Sequence, residues 1–138
     1  MAESAEIIEL RGDHYCFACG KNNPIGLHLN FKIIDDRFVA TKTLSREYQS
    51  YPGIVHGGIV STMLDEAMGG LIVERGEKAV TAKMELRYRK PTPVGEPVTV
   101  TGWEESRRRN MVITKGTITL SDGSIAAEAT ATMMIVND

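Results

Sequence analysis

One stretch of this chain has a helical period, and everything else in the fold must be built around it. From Gly57 to Glu74, Ile59, Val60, Met63, Leu64, Ala67, Met68 and Leu71 recur at the spacing of an apolar stripe. The other apolar residues alternate, as strand residues do. Val80, Ala82, Met84, Leu86 and Tyr88 share one face of a strand over 79–90, and Thr81, Lys83, Glu85, Arg87 and Arg89 share the face toward water. Val98 and Val100 open a second strand, and Met111 to Leu120, rich in β-branched residues, reads as a third. Ser121-Asp122-Gly123-Ser124 then makes a hairpin turn. Beyond it, Ala127, Ala129, Ala131, Met133 and Ile135 alternate with Glu128, Thr130 and Thr132. Three alanines on one face leave room for a helix to lie close. Upstream, Leu27, Leu29, Phe31 and Ile33 alternate, and Asp35-Asp36 turns them toward a partner strand over Phe38 to Thr43. One long helix and five or six antiparallel strands make an α+β layered fold.

A chain of 138 residues fits a single domain, 1–138, with a leader over 1–26. Its size favours a second copy to complete the buried surface, so a homodimer or a dimer of dimers is expected. A net charge of −2 argues against a nucleic-acid partner. The longest apolar runs fall short of the roughly 18–20 residues of a membrane span. The acidic start, Met1 to Glu6, resembles neither a secretory leader nor a transit peptide, and two cysteines are too few for a disulfide scaffold. These features lead us to expect a cytoplasmic protein with no membrane partner.

The helix opens after Tyr51-Pro52-Gly53-Ile54-Val55-His56, with Gly57 and Gly58 at its start. Paired glycines there serve either a tight loop-to-helix turn or an oxyanion site, where N–H groups sit at the positive end of the helix dipole. At about 100° per residue, Asp65 lies off the apolar stripe, on a face shared with Gly58, Ser61, Gly69 and, nearby, Thr62. Solvated faces are usually filled with Lys, Glu and Gln, whereas a small-residue face suits the close approach of a ligand or another backbone. Asp65 is therefore the candidate catalytic carboxylate, and Glu66, further round the helix, is its rival.

The run His56-Gly57-Gly58-Ile59-Val60-Ser61-Thr62-Met63-Leu64-Asp65-Glu66-Ala67 resembles the helix-opening motif of hotdog-fold acyl-CoA thioesterases, within them the PaaI-like group and related human thioesterase superfamily members. The likeness continues through Val80 to Glu85, Tyr88 to Glu96 and Ala127 to Thr130, and reaches back to Cys16-Phe17-Ala18-Cys19-Gly20 and Asn23 to Leu27. It implies a long helix wrapped by a curled antiparallel sheet and the hydrolysis of an acyl-CoA to free acid and coenzyme A. It casts Asp65 as general base or nucleophile and the N–H of Gly57 or Gly58 as oxyanion donor. His56 would fix the loop, and Thr81 would support the carboxylate, although strand parity sets Thr81 on the polar face. Some relatives carry an Asn six residues before the His to orient the substrate carbonyl; here that position is Ser50, with Gln49 beside it. Ser61 joins these as a substrate-side residue. Coenzyme A belongs to the substrate, so no separate cofactor is implied.

Cys16 and Cys19 form a single CxxC with His14 and His28 nearby. A second ligand pair at regular spacing is missing, so the cysteines read as structural thiols and no metal is expected. Arg107-Arg108-Arg109 reads as a solvated hairpin tip; Arg107, Arg87, Arg89 and Lys90 are alternative contacts for the coenzyme A phosphates. Trp103 and Tyr88 read as packing residues. Two rivals stand beside the thioesterase: a non-catalytic acyl-CoA binding module and a hotdog hydratase. The hydratase chemistry wants a histidine a few residues past the helical Asp, where this helix has Gly69 and Gly70.

Overall fold

A computed structural model of the chain describes residues 12–136. The acidic start lies outside them. The described elements are β1 (Lys32–Ile34), β2 (Arg37–Thr43), a short 3-10 turn (Arg46–Tyr48), α1 (Gly57–Glu74), β3 (Ala79–Tyr88), β4 (Pro97–Arg108), β5 (Met111–Thr119) and β6 (Ile125–Ile135). The strands form one antiparallel sheet in the order β1-β2-β4-β5-β6-β3, with β3 at one edge. The helix lies along one face of it, chiefly on β4 and β5.

Both ends of α1 are set by local chemistry. The Gly58 N–H donates to His56 Nδ1 at 2.9 Å, which makes His56 the N-cap. At the other end Gly76 takes φ of 90°, and the N–H groups of Gly76 and Glu77 return to the carbonyls of Val73 and Ile72. A left-handed residue just past the last turn is the usual glycine stop. Between these ends Val60, Met63, Leu64, Ala67, Met68, Leu71 and Ile72 are buried.

The helix sits in a trough of small residues. Gly102 of β4 pairs with Gly116 of β5, which pairs in turn with Ala129 of β6. A Cβ at Gly102 would collide with the Ala67 carbonyl and stand 2.9 Å from the Met68 nitrogen, so helix backbone rests directly on strand backbone there. Ala127, Ala129 and Ala131 are buried, as their spacing implies. The two hairpin turns also match: Asp35 and Asp36 both take positive φ, as a two-residue turn requires, and Gly123 closes the β5–β6 turn at φ 87°.

Two expectations need correcting. The alternating run from Leu27 to Ile33 is a strand only from Lys32. Leu27 and Leu29 are buried on schedule, but their N–H groups donate to the Phe17 and Ala18 carbonyls, and His28 between them has φ of 53°. The segment therefore pairs with the leader, and a left-handed residue interrupts its extension. The second correction is in β3. Its register shifts between Thr81 and Lys83, so Ala82 is an inserted residue. A bulge reverses the in–out parity. Thr81 lies opposite the buried Met133 and faces the helix, while Val80, read as core, is 51% exposed.

Candidate active site

That bulge assembles the site. Thr81 Oγ1 donates a 2.6 Å hydrogen bond to Asp65 Oδ1 and also approaches Met133 Sδ at 3.4 Å. Without the inserted Ala82 the hydroxyl would point to the outer face. Asp65 is half-buried, midway along α1, with Ser61 half-buried one turn before it. Glu66 turns the other way: its Oε1 lies 3.7 Å from Cys16 Sγ, under the leader. The two adjacent carboxylates thus serve different neighbourhoods, and Glu66 is not a competing group beside Thr81.

At the helix start the two glycines differ. The Gly58 N–H is occupied by the His56 ring, and Thr62 Oγ1 donates to the Gly58 carbonyl at 2.9 Å. The Gly57 N–H has no partner among the described residues, and the Gly57 carbonyl accepts from Tyr88 Oη at 2.7 Å. Tyr88, read from sequence as packing, is 54% exposed and instead ties the end of β3 to the first turn of α1. No sequence periodicity marks such a link; only its position at the strand end opposite the glycines hints at it. Trp103 is half-buried, with the Arg37 guanidinium 4.0 Å from its ring.

A hollow of about 360 Å³ opens beside the helix start, lined among others by Ser50, Val55, Gly57, Tyr88, Arg89 and Lys90. Ser50 borders it, whereas the Gln49 amide oxygen accepts from Gly53 N–H at 3.2 Å and closes the preceding loop. Of the basic candidates, Arg107 is committed elsewhere. It pairs with Glu104 at 3.0 Å and Glu77 at 2.8 Å, and those carboxylates hold its pKa above the ordinary arginine value. Arg89 pairs with Glu128 at 2.7 Å, which lowers the Glu128 pKa and raises that of Arg89. Lys90 stands at the hollow, and the exposed Arg87 lies on β3.

A family model described as the thioesterase superfamily matches residues 52–127, which hold the helix, Asp65, Thr81, Gly102 and Gly116. The chain belongs to the thioesterase superfamily. Among curated relatives of this superfamily member, the mouse acyl-coenzyme A thioesterase THEM4 is 31% identical over 60% of this chain and 36% of its own length. The human acyl-coenzyme A thioesterase 13 is 24% identical over 73% of this chain and 74% of its own. The chain thus spans about a third of the mouse relative. A crystal structure of a thioesterase superfamily protein matches with a TM-score of 0.84 and 28% identity, over 94% of this chain and 64% of that one. A hypothetical thioesterase from Streptococcus pneumoniae, solved with coenzyme A, matches with a TM-score of 0.73 and 24% identity, over 79% of this chain and 89% of that one. That protein has also been crystallised with an aspartate and with a threonine changed to alanine. The hotdog arrangement is shared with these structures. Among the described residues, no helix is long and apolar enough to cross a membrane.

Proposed function

We propose that the chain is a cytoplasmic acyl-CoA thioesterase in which Asp65 activates water against the thioester carbonyl. The observation that carries this reading is the 2.6 Å bond from Thr81 to Asp65 Oδ1. It fixes the carboxylate while leaving Oδ2 to accept a proton. Water oxygen adds to the carbonyl carbon as Asp65 takes the proton. The negative oxygen forms against the Gly57 N–H, at the positive end of the helix dipole. The C–S bond then breaks, and the leaving thiolate of coenzyme A takes the proton back. His56 caps the turn that aims the Gly57 N–H, and Ser50 borders the path of the acyl chain. Lys90 and Arg89 line the hollow, and their positive charge would suit the phosphates of the coenzyme. The streptococcal relative lends support: its two alanine variants fall at an aspartate and a threonine sixteen positions apart, the same separation as Asp65 and Thr81.

One chain holds these parts too far apart. Gly57 and Asp65 are separated by about 12 Å along the helix, whereas one carbonyl group needs both within about 3 Å of its atoms. A two-fold partner that brings its own Asp65 opposite this Gly57 closes the gap and makes two equivalent sites. The edge of β3 supports such a partner. Ten residues long, it pairs with β6 on one side and with no described strand on the other, and a long open edge is a natural place for strand pairing.

The test is release of coenzyme A thiol from short, medium, long and aromatic acyl-CoAs. Asp65→Asn should lower kcat by at least ~10²-fold while acyl-CoA binding survives; retention of more than half the activity rejects Asp65. Mixing Asp65→Asn with Gly57→Pro, both inactive, and refolding them together should restore about a quarter of wild-type activity if sites span two chains. No recovery despite demonstrated subunit exchange rejects the shared site.

A further inference from the structure

The leader and the back of the helix hold a second cluster of reactive groups, away from Thr81. Cys16 Sγ, Cys19 Sγ and a Glu66 carboxylate oxygen all lie within 4.8 Å of one another. We propose that these three side chains bind one zinc ion, which joins the leader to the middle of α1. This reverses the reading of the cysteines as plain structural thiols.

The geometry is that of a ligand set. Tetrahedral zinc with Zn–S of about 2.3 Å and Zn–O of about 2.0 Å places sulfur and oxygen ligands roughly 3.5 Å apart. Cys16 Sγ and Glu66 Oε1 are 3.7 Å apart. Small shifts of two side chains complete the site, and the backbone already stands in place. The cysteine turn is closed by Gly20, whose N–H donates to the Cys16 carbonyl at 2.8 Å. A Cβ there would run into the backbone of Cys16, so glycine is required for the turn that brings both sulfurs to one side. The turn is pinned in turn by Leu27 and Leu29, which donate to Phe17 and Ala18 at 2.8 and 2.9 Å. On the helix, Glu66 lies back over Gly70, where a Cβ would stand 3.1 Å from its Oε2.

The donor chemistry selects the metal class. Two thiolates disfavour magnesium and calcium, which take oxygen ligands, and a tetrahedral set of two sulfurs and a carboxylate suits zinc. Water takes the fourth position. The histidines weighed with the CxxC are not in the cluster: His28 Nε2 lies 2.6 Å from the Asn23 carbonyl, and His14 contributes its backbone carbonyl to Asn22 N–H. Binding displaces the two thiol protons to solvent, so affinity falls as pH falls. Glu66 follows Asp65 in the chain and points about 100° away from it around the helix, so the ion would brace the helix on a different face from the proposed catalytic carboxylate.

The experiment uses the full chain. Protein grown with added zinc and dialysed should carry about one zinc per chain by elemental analysis, and Cys16→Ser with Cys19→Ser should carry less than a tenth of that. Glu66→Gln should weaken binding at least about tenfold, the lower scale of losses when a zinc site is disturbed. Should the serine variants not fold, the wild-type chain stripped of metal decides alone. Added cobalt(II) should give the visible bands of a tetrahedral ion and a near-ultraviolet thiolate-to-metal transition, and added zinc should raise Tm with concentration. A stripped protein that shows neither response, full zinc in the double variant, or a Cys16–Cys19 disulfide found by thiol titration of freshly purified protein overturns the proposal.

Discussion

Placing a methyl group at Gly102 tests how closely the helix and sheet are fitted. In Gly102→Ala the new Cβ would stand 2.9 Å from the Met68 nitrogen and nearer still to the Ala67 carbonyl, against an ordinary contact of about 3.5 Å. Both obstacles are helix backbone, which cannot rotate aside as a side chain can. The helix must therefore lift by on the order of 1 Å. Overpacking a tight core costs about 1–3 kcal/mol, and rigid obstacles place this case at the upper end. For a domain of this size, about 3 kcal/mol lowers Tm by about 10 °C. The same lift draws Asp65, two residues before Ala67, away from Thr81, so the 2.6 Å bond lengthens and turnover falls with stability. Gly116→Ala is the control. Its Cβ would meet Leu64 Cδ2, Met68 Cγ and the Thr101 carbonyl, each at 3.2 Å, a shortfall of only a few tenths of an ångström, so it should cost no more than about 1 kcal/mol. Thermal unfolding followed by circular dichroism and thioester hydrolysis at a temperature where both variants are folded provide the readouts. A Gly102→Ala protein that melts within 2 °C of wild type, or above Gly116→Ala, would refute the reasoning.

Thr81→Val keeps the shape and removes the bond to Asp65, so kcat should fall about tenfold, the equivalent of one hydrogen bond to a charged group, with KM little changed. Thr81→Ser should recover most of the loss, and equal rates for the Val and wild-type proteins would remove Thr81 from the site. Thr114 on β5 is fully buried and its hydroxyl has no partner among the described residues; Thr114→Val should raise stability by about 1 kcal/mol, read as a Tm higher by about 3–5 °C. The Arg89 hydrogen bond holds the Glu128 carboxyl below the ordinary value of about 4.3. Its contribution is therefore present above that pH and is lost as pH falls through the lowered folded value, so Tm of Glu128→Gln should depend less on pH across that window than Tm of wild type.

The helix and the long strands were legible because their signals are properties of many residues at once. Seven apolar positions in register outvote any exception, and the span read from Gly57 to Glu74 is the span of α1. The failures arise where one residue decides. A single inserted Ala82 reverses the facing of Thr81, and Thr, Ala and Lys carry no mark that distinguishes a bulge from a regular pleat. Leu27 and Leu29 have the burial of a strand and the hydrogen bonds of a loop, since alternation reports which side chains are inside and not which carbonyls their N–H groups find. Gly102 did carry a signal. An isolated glycine within a strand marks a bulge or a close backbone approach, and here two such glycines pair across β4 and β5 to seat the helix.

The site divides along the same line. Asp65 stood out because it breaks the chemistry of its own helix face, a comparison made entirely within one element. What surrounds Asp65 in the candidate site comes from other elements: the hydroxyl of Thr81 in β3, and the turn of His56 and Gly57 anchored by Tyr88. Helical period also placed Glu66 beside Asp65 as a rival, since neighbours on a helix differ by only about 100°. The leader separates them. Its cysteine turn packs over Glu66 and leaves Asp65 to the strand side. The 100° that could not rank the two carboxylates in the sequence is enough in the fold to send one to a pair of thiols and the other to a hydroxyl.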